Sequence, residues 1–235
     1  MVIEVKYKYN YNFVHLCSKQ CNGNASFPYI RIKKTYKMEN LKQQFIDRLL
    51  STGRPRIEKV IEWLEYYGFF EAPASTKFHL NVKGGLMEHS WNVCNTALML
   101  REQMIQMKPE LAEKLPEESV IIASLLHDVC KSNVYKEALL NRKNEFGVWE
   151  KVQGYEVDYS ELPLGHGEKS VIMLLSFGLR LTKDEMLAIR WHMNAWELAF
   201  QSAEQKSNLQ KAREIAPLCT IIQAADGLAS SLLED

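Results

Sequence analysis

Val120-Ile121-Ile122-Ala123-Ser124-Leu125-Leu126-His127-Asp128 is the stretch on which the fold turns. It is apolar on every side of a helical wheel, so it reads as a buried helix rather than a surface one. Glu117-Glu118 just upstream put negative charge on its first turn, where the helix dipole favours it. At its far end stand a histidine and a carboxylate. Burying that pair is costly unless something offsets the lost solvation. A divalent cation would do so, because imidazole and carboxylate together suit Zn, Fe, Mn and similar ions.

Outward from this helix the apolar period stays helical from Met38 onward. Leu41, Phe45, Leu49 and Leu50 form one stripe. Ile57, Val60, Ile61, Leu64 and Tyr67 form a second, ended near Gly68 and Pro73. A third helix starts near Leu86 and runs to Met107. Lys169 to Arg180, Lys183 to Trp196, and Leu209 to Leu233 with a break at Pro217 supply the rest. Val134 to Tyr159 is the exception: Glu145-Phe146-Gly147-Val148-Trp149 and Gly154-Tyr155-Glu156-Val157 alternate and carry glycines, which predicts a hairpin. The fold class expected is all-α, a helical bundle with one small β-hairpin.

Residues 1–37 differ in kind. Lys6-Tyr7-Lys8-Tyr9, Asn10-Tyr11-Asn12 and Arg31-Ile32-Lys33-Lys34 show no helical apolar period. They read as an N-terminal extension, either poorly ordered or carrying short strands at Val2–Val5 and Tyr29–Ile32. The main domain is then 38–235, and the change in composition makes Met38 an alternative start.

Composition narrows the function classes. The 235 residues are 46% hydrophobic and 25% charged, an ordinary globular balance. Lys+Arg and Asp+Glu both total 29, which argues against a protein that coats nucleic acid or a membrane surface. No apolar run is long enough to span a bilayer, and the N-terminus lacks the apolar stretch of a secretory signal. The 5 cysteines, an odd number and scattered, suit reduced thiols. A cytoplasmic location is the expectation.

Six histidines are present, and the surroundings of four stand out: His89 after the Gly84-Gly85 turn, His127 before Asp128, His166 in Gly165-His166-Gly167-Glu168, and His192 in Arg190-Trp191-His192. Asp226 lies beside Ala224-Ala225 on an apolar helix, where an unpaired carboxylate is rare. Intervals of 38 residues from His89 to His127, 38 from Asp128 to His166, 26 to His192 and 34 to Asp226 are too long for one helix. They fit successive helices that each deliver ligands to a shared centre. Taken singly, each histidine is more often a hydrogen-bonded structural residue than a ligand. His15 reads as surface, and His79 as structural with a lesser chance of lining a pocket.

The order His89, His127-Asp128, Asp226 resembles the H…HD…D signature of the HD superfamily of metal-dependent phosphohydrolases. Leu125-Leu126-His127-Asp128-Val129-Cys130-Lys131 is close to the LLHDIGK form of its central motif. Lys77-Phe78-His79-Leu80 and Gly84-Gly85-Leu86-Met87-Glu88-His89-Ser90 resemble the approach to the first ligand in the HD domain of YhaM-type 3′-to-5′ exoribonucleases. The resemblance covers roughly Phe78 to Leu233. It implies an HD-type helical bundle and one or two divalent ions (Mn, Fe, Ni, Mg or Zn) held by His89, His127, Asp128, His166, His192 and Asp226. Two ions would share the set with Asp128 bridging; with one, His166 and His192 would face a phosphate. No GYP tripeptide follows, so the cyclic-di-nucleotide substrate of HD-GYP enzymes is not implied.

The implied reaction is attack of a metal-activated water on a phosphoester. Asp128 and Lys131 are the catalytic candidates. Lys131, on the Asp128 face if the turn stays helical, would also bind a phosphate oxygen, with Arg190 a weaker phosphate contact. A lysine after a helix end is otherwise a solvated cation. Glu88 and Glu168, which flank the implied ligands, read as partners that orient a ligand, as proton carriers or as solvated acids. Trp149 and Tyr155 read as covering the pocket and stacking a base or as simply packed. With no OB-type barrel and no basic stripe outside the extension, the expected partner is a small phosphorylated substrate, a nucleotide among the candidates, rather than long nucleic acid. Two other readings stand beside hydrolysis: a di-iron oxygenase on the same ligands, and a nucleotide-sensing module without turnover.

Overall fold

The fold is built on α4, Glu117–Leu126, which is buried from Ser119 to its last residue. This computed structural model describes residues 27–158, 162–193 and 202–234. Around α4 stand α1 (Phe27–Ser51), α2 (Ile57–Tyr66), α3 (Gly85–Met107), α5 (His166–Ser176), α6 (Lys183–Trp191), α7 (Ala203–Ile215) and α8 (Pro217–Leu228). α3 lies against α4 and α8, and α6 lies against α4, α5 and α8. Ile122, Leu125 and Leu126 are fully buried in the resulting core. Removing each such side chain from water stabilises the fold by roughly 1.5–3 kcal/mol.

Local sequence explains where elements begin and end. Thr182 caps α6 through a capping box in which its side chain accepts from the Glu185 amide and Glu185 accepts from the Thr182 amide. Gly84, at φ 80°, turns the chain into α3 in a conformation that a side chain would disfavour. Phe45 meets Phe69 and Phe70 at ring distances of 5.4 and 5.5 Å, which pins α1 onto the loop after α2. The expected break at Pro217 is present, and the flanking helical segments are bent by 105° there. No single helix among the described residues is long and apolar enough to cross a membrane.

The hairpin is formed by β1 (Tyr135–Lys143) and β2 (Trp149–Val157), paired antiparallel from Tyr135↔Val157 to Lys143↔Trp149. Its turn is held by the Asn144 side chain, which accepts from the Phe146 and Val148 amides. Three expectations need correction. Tyr29–Ile32 is helical, because α1 runs unbroken from Phe27 across Met38; a four-residue alternation does not outweigh propagation of a helix already nucleated downstream. α5 stops at Ser176, ahead of the left-handed Gly178, rather than at Arg180. α6 closes at Trp191, and the rest of the expected helix to Trp196 falls largely outside the described residues, as does Val2–Val5.

Candidate metal centre

Four helices deliver the cluster. α3 carries His89 on its second turn, α4 ends at His127-Asp128, α6 ends at His192, and α8 carries Asp226. His89, His127, Asp128 and His192 are buried, and the Asp226 side chain is 17% exposed. His89 Nε2 lies 3.2 Å from His127 Nε2 and 3.3 Å from Asp226 Oδ1. Asp128 Oδ2 lies 3.4 Å from His127 Nε2, and Asp128 Oδ1 lies 3.3 Å from His192 Nε2.

The other nitrogen of each ring is already committed. His127 Nδ1 donates to the Ser124 carbonyl and His192 Nδ1 to the Ile189 carbonyl, both at 2.7 Å. His89 Nδ1 donates to Glu234 at 2.9 Å. A carbonyl or carboxylate only accepts, so every ring is held with its proton on Nδ1 and Nε2 turned inward. Inward-facing lone pairs and two carboxylates in a buried space repel one another unless a cation sits among them. A proton on His89 relieves part of this, but Asp128 Oδ1 and His192 Nε2 still lack any hydrogen-bond partner. Orphaned buried acceptors of this kind, with a donor set of imidazoles and carboxylates, fit a divalent transition ion.

Electrostatics follow from the same contacts. Burial alone would raise the Asp128 carboxyl, but the Lys131 ammonium and the His127 ring outweigh it and hold it well below the usual range. Lys131 Nζ is 2.6 Å from Asp128 Oδ2, and its pKa rises despite burial. Burial opposes charge on His89, yet its hydrogen bonds to Asp226 and Glu234 push it up to about 9. Against burial, the His89 hydrogen bond also pulls Asp226 down.

A cavity of about 380 Å³ opens onto the cluster, within the range of small-molecule sites. His79, Lys131, Gln223, Asp226 and Ser230 are on its wall. His166 is not gathered in: it opens α5, half-buried, outside the groups of ligand atoms within reach of one another. Arg190 stands apart too, paired with Glu168 at 2.7 Å and stacked on Trp191 at 4.2 Å. Trp149 is exposed at the start of β2, and Tyr155 is half-buried; neither lines the cavity. Sequence reasoning missed Glu234, an acid that ends a run of small and apolar residues, and Asn92, which donates to it at 3.0 Å. It read His79 first as structural and second as lining a pocket, and the second holds, since His79 is on the cavity wall.

A family model for the HD domain matches residues 86–231, well over half of the chain. No curated protein and no solved structure matches.

Proposed function

This chain belongs to the HD-domain family of metal-dependent phosphohydrolases, and on that premise we propose that it hydrolyses a small phosphoester, a nucleotide among the candidates. The observation that carries the reading is the inward convergence of the His89, His127 and His192 Nε2 atoms on Asp128 and Asp226. Those five side chains would hold the ion, and three imidazoles among them favour Mn, Fe, Ni or Zn over Mg. Bound there, a divalent ion supplies positive charge for a phosphoryl oxygen and lowers the pKa of a coordinated water.

The chain's own residues do the rest. The Ser124 and Ile189 carbonyls fix the two ring orientations before any ligand arrives. Lys131, on the cavity wall, holds Asp128 in place and offers its ammonium to a phosphate oxygen. Asp128, held ionised by the Lys131 ammonium and the His127 ring, is the group assigned here to hold the ion and orient the attacking water. The gathered donors suffice for one ion; a second would draw on His166 at the start of α5. A cavity of about 380 Å³ and a charge balance of 29 against 29 support a small substrate over long nucleic acid.

The test is a screen of nucleoside mono-, di- and triphosphates, p-nitrophenyl phosphate and bis-p-nitrophenyl phosphate, with Mn, Fe, Ni, Zn and Mg each added to metal-stripped protein. Metal-dependent release of phosphate or nitrophenol is expected. Metal binding with no turnover on any of these compounds would contradict hydrolysis of this substrate class.

A further inference from the structure

Of the three buried imidazoles in the cluster, His89 alone has its outer nitrogen on a charged acceptor, and that acceptor comes from far away in sequence. His127 and His192 each use a backbone carbonyl three residues back on their own helix. His89 uses the carboxylate of Glu234, 145 residues on. Glu234 follows the π-helical turn Ala229–Leu233, which extends α8 beyond Asp226. Its side chain is 1% exposed, an uncommon setting for a glutamate without a purpose for its charge. Oε2 and Oε1 lie 2.9 and 3.2 Å from His89 Nδ1, and Oε1 also accepts from Asn92 Nδ2 at 3.0 Å. Asn92 stands one turn beyond His89 on α3, so two successive turns of that helix grip one carboxylate. His79 Nε2 is 3.9 Å away on the cavity side.

We propose that Glu234 is a positioning residue of the metal centre, a remote carboxylate that fixes the tautomer and aim of His89 and ties the turn Ala229–Leu233 to the occupied site. The inference rests on the metal reading above. A carboxylate behind an imidazole holds the proton on Nδ1 and makes Nε2 a stronger donor to a cation. Because the same carboxylate anchors the turn that carries Ser230 and Ser231 to the cavity wall, ion binding and docking of that turn favour each other.

The experiment measures the Kd for Mn²⁺ by calorimetry on metal-stripped full-length wild type, Glu234→Ala, Glu234→Gln and Asn92→Ala. It also measures the thermal midpoint of each metal-free protein and the nitrogen-15 shifts of the His89 ring. Loss of such an outer carboxylate weakens affinity by about 10- to 100-fold, and that is the result expected for Glu234→Ala. Glu234→Gln keeps the hydrogen bond without the charge and should fall between Ala and wild type, with His89 still protonated on Nδ1. Asn92→Ala, which leaves His89 untouched, should also weaken binding. If Glu234 only pins the turn Ala229–Leu233, its variants will melt earlier and bind Mn²⁺ as wild type does; that overturns the proposal. Should Glu234→Ala not fold, wild-type affinity in Glu234→Gln and Asn92→Ala overturns it equally. Absence of Mn²⁺ binding by wild type sinks the metal reading itself, and this inference with it.

Discussion

His89 Nε2 and His127 Nε2 face each other at 3.2 Å across the junction of α3 and α4, while the Nδ1 atom of each ring donates outward. In the metal-free chain a proton on His89 makes that approach tolerable, and its pKa stands at about 9 against an ordinary 6.5. An ion entering the site must displace it, so uptake should release protons and affinity should climb as pH rises toward 9. The stability linkage has the opposite sense. A raised histidine pKa stabilises the metal-free fold fully below about 6.5, and the contribution is lost as pH rises through about 9. The melting temperature of chelated protein should therefore fall across that window, and metal-loaded protein should not follow it. Calorimetry in buffers of different ionisation enthalpy counts the released protons; no release at neutral pH would contradict this electrostatic account.

Lys131→Met tests the phosphate role. The substitution keeps most of the side-chain volume and removes the ammonium that sits 2.6 Å from Asp128. Loss of one such charge donor typically costs about 10²–10³ in turnover. Metal content should be retained while kcat drops by that order. Unchanged kcat would return Lys131 to a purely structural ion pair.

Glu185 tests a stabilising network away from the cluster. Fully buried on α6, it accepts from Arg54 at 2.5 and 2.9 Å, from Ser119 Oγ at 2.7 Å and from the Thr182 amide at 2.8 Å. Glu185→Ala would leave Arg54 without its carboxylate and Ser119 without an acceptor. A loss of about 3–5 kcal/mol is expected, as for other buried pairs broken from one side. Denaturant unfolding measures it, and a change under about 1 kcal/mol would contradict the network's importance.

Gly167→Ala probes the approach of α5 to α6. A Cβ at Gly167 would overlap the carbonyl oxygens of Ile189 and Arg190, which are backbone atoms with little room to retreat. Overpacking of this kind costs about 1–3 kcal/mol. Ile189 is also the residue whose carbonyl aims His192, so the variant should weaken metal binding as well as stability. A stable variant with wild-type affinity would show that α6 can shift without moving the site.

Much of this was legible in the residues. α4 could be read because it is apolar on all sides, and the hairpin because its alternation and glycines have no helical alternative. The four cluster positions His89, His127, Asp128 and Asp226 were legible from a carboxylate or imidazole placed at an apolar helix, together with the family signature. His192 joined them, but His166 did not, because sequence fixes neither the rotation of α5 nor how far along it a side chain points. The carbonyls of Ser124 and Ile189 were invisible, since backbone acceptors leave no mark in the residue type. Glu234 gave no local signal, as an acid after Leu232-Leu233 reads like any solvated carboxylate. The helical reach of α1 to Phe27 was hidden by a short run of aromatic and β-branched residues that tertiary continuity overrides.

The most direct measurement is the metal content of protein purified without chelator, by elemental mass spectrometry, on wild type and Asp128→Ala. Asp128 approaches His127 and His192 and has an oxygen with no hydrogen-bond partner, so its removal should abolish binding. The account predicts at least about one equivalent of a divalent transition ion in wild type and a content near zero in the variant. No metal in wild type, even after ions are added back, or equal metal in Asp128→Ala, would contradict it.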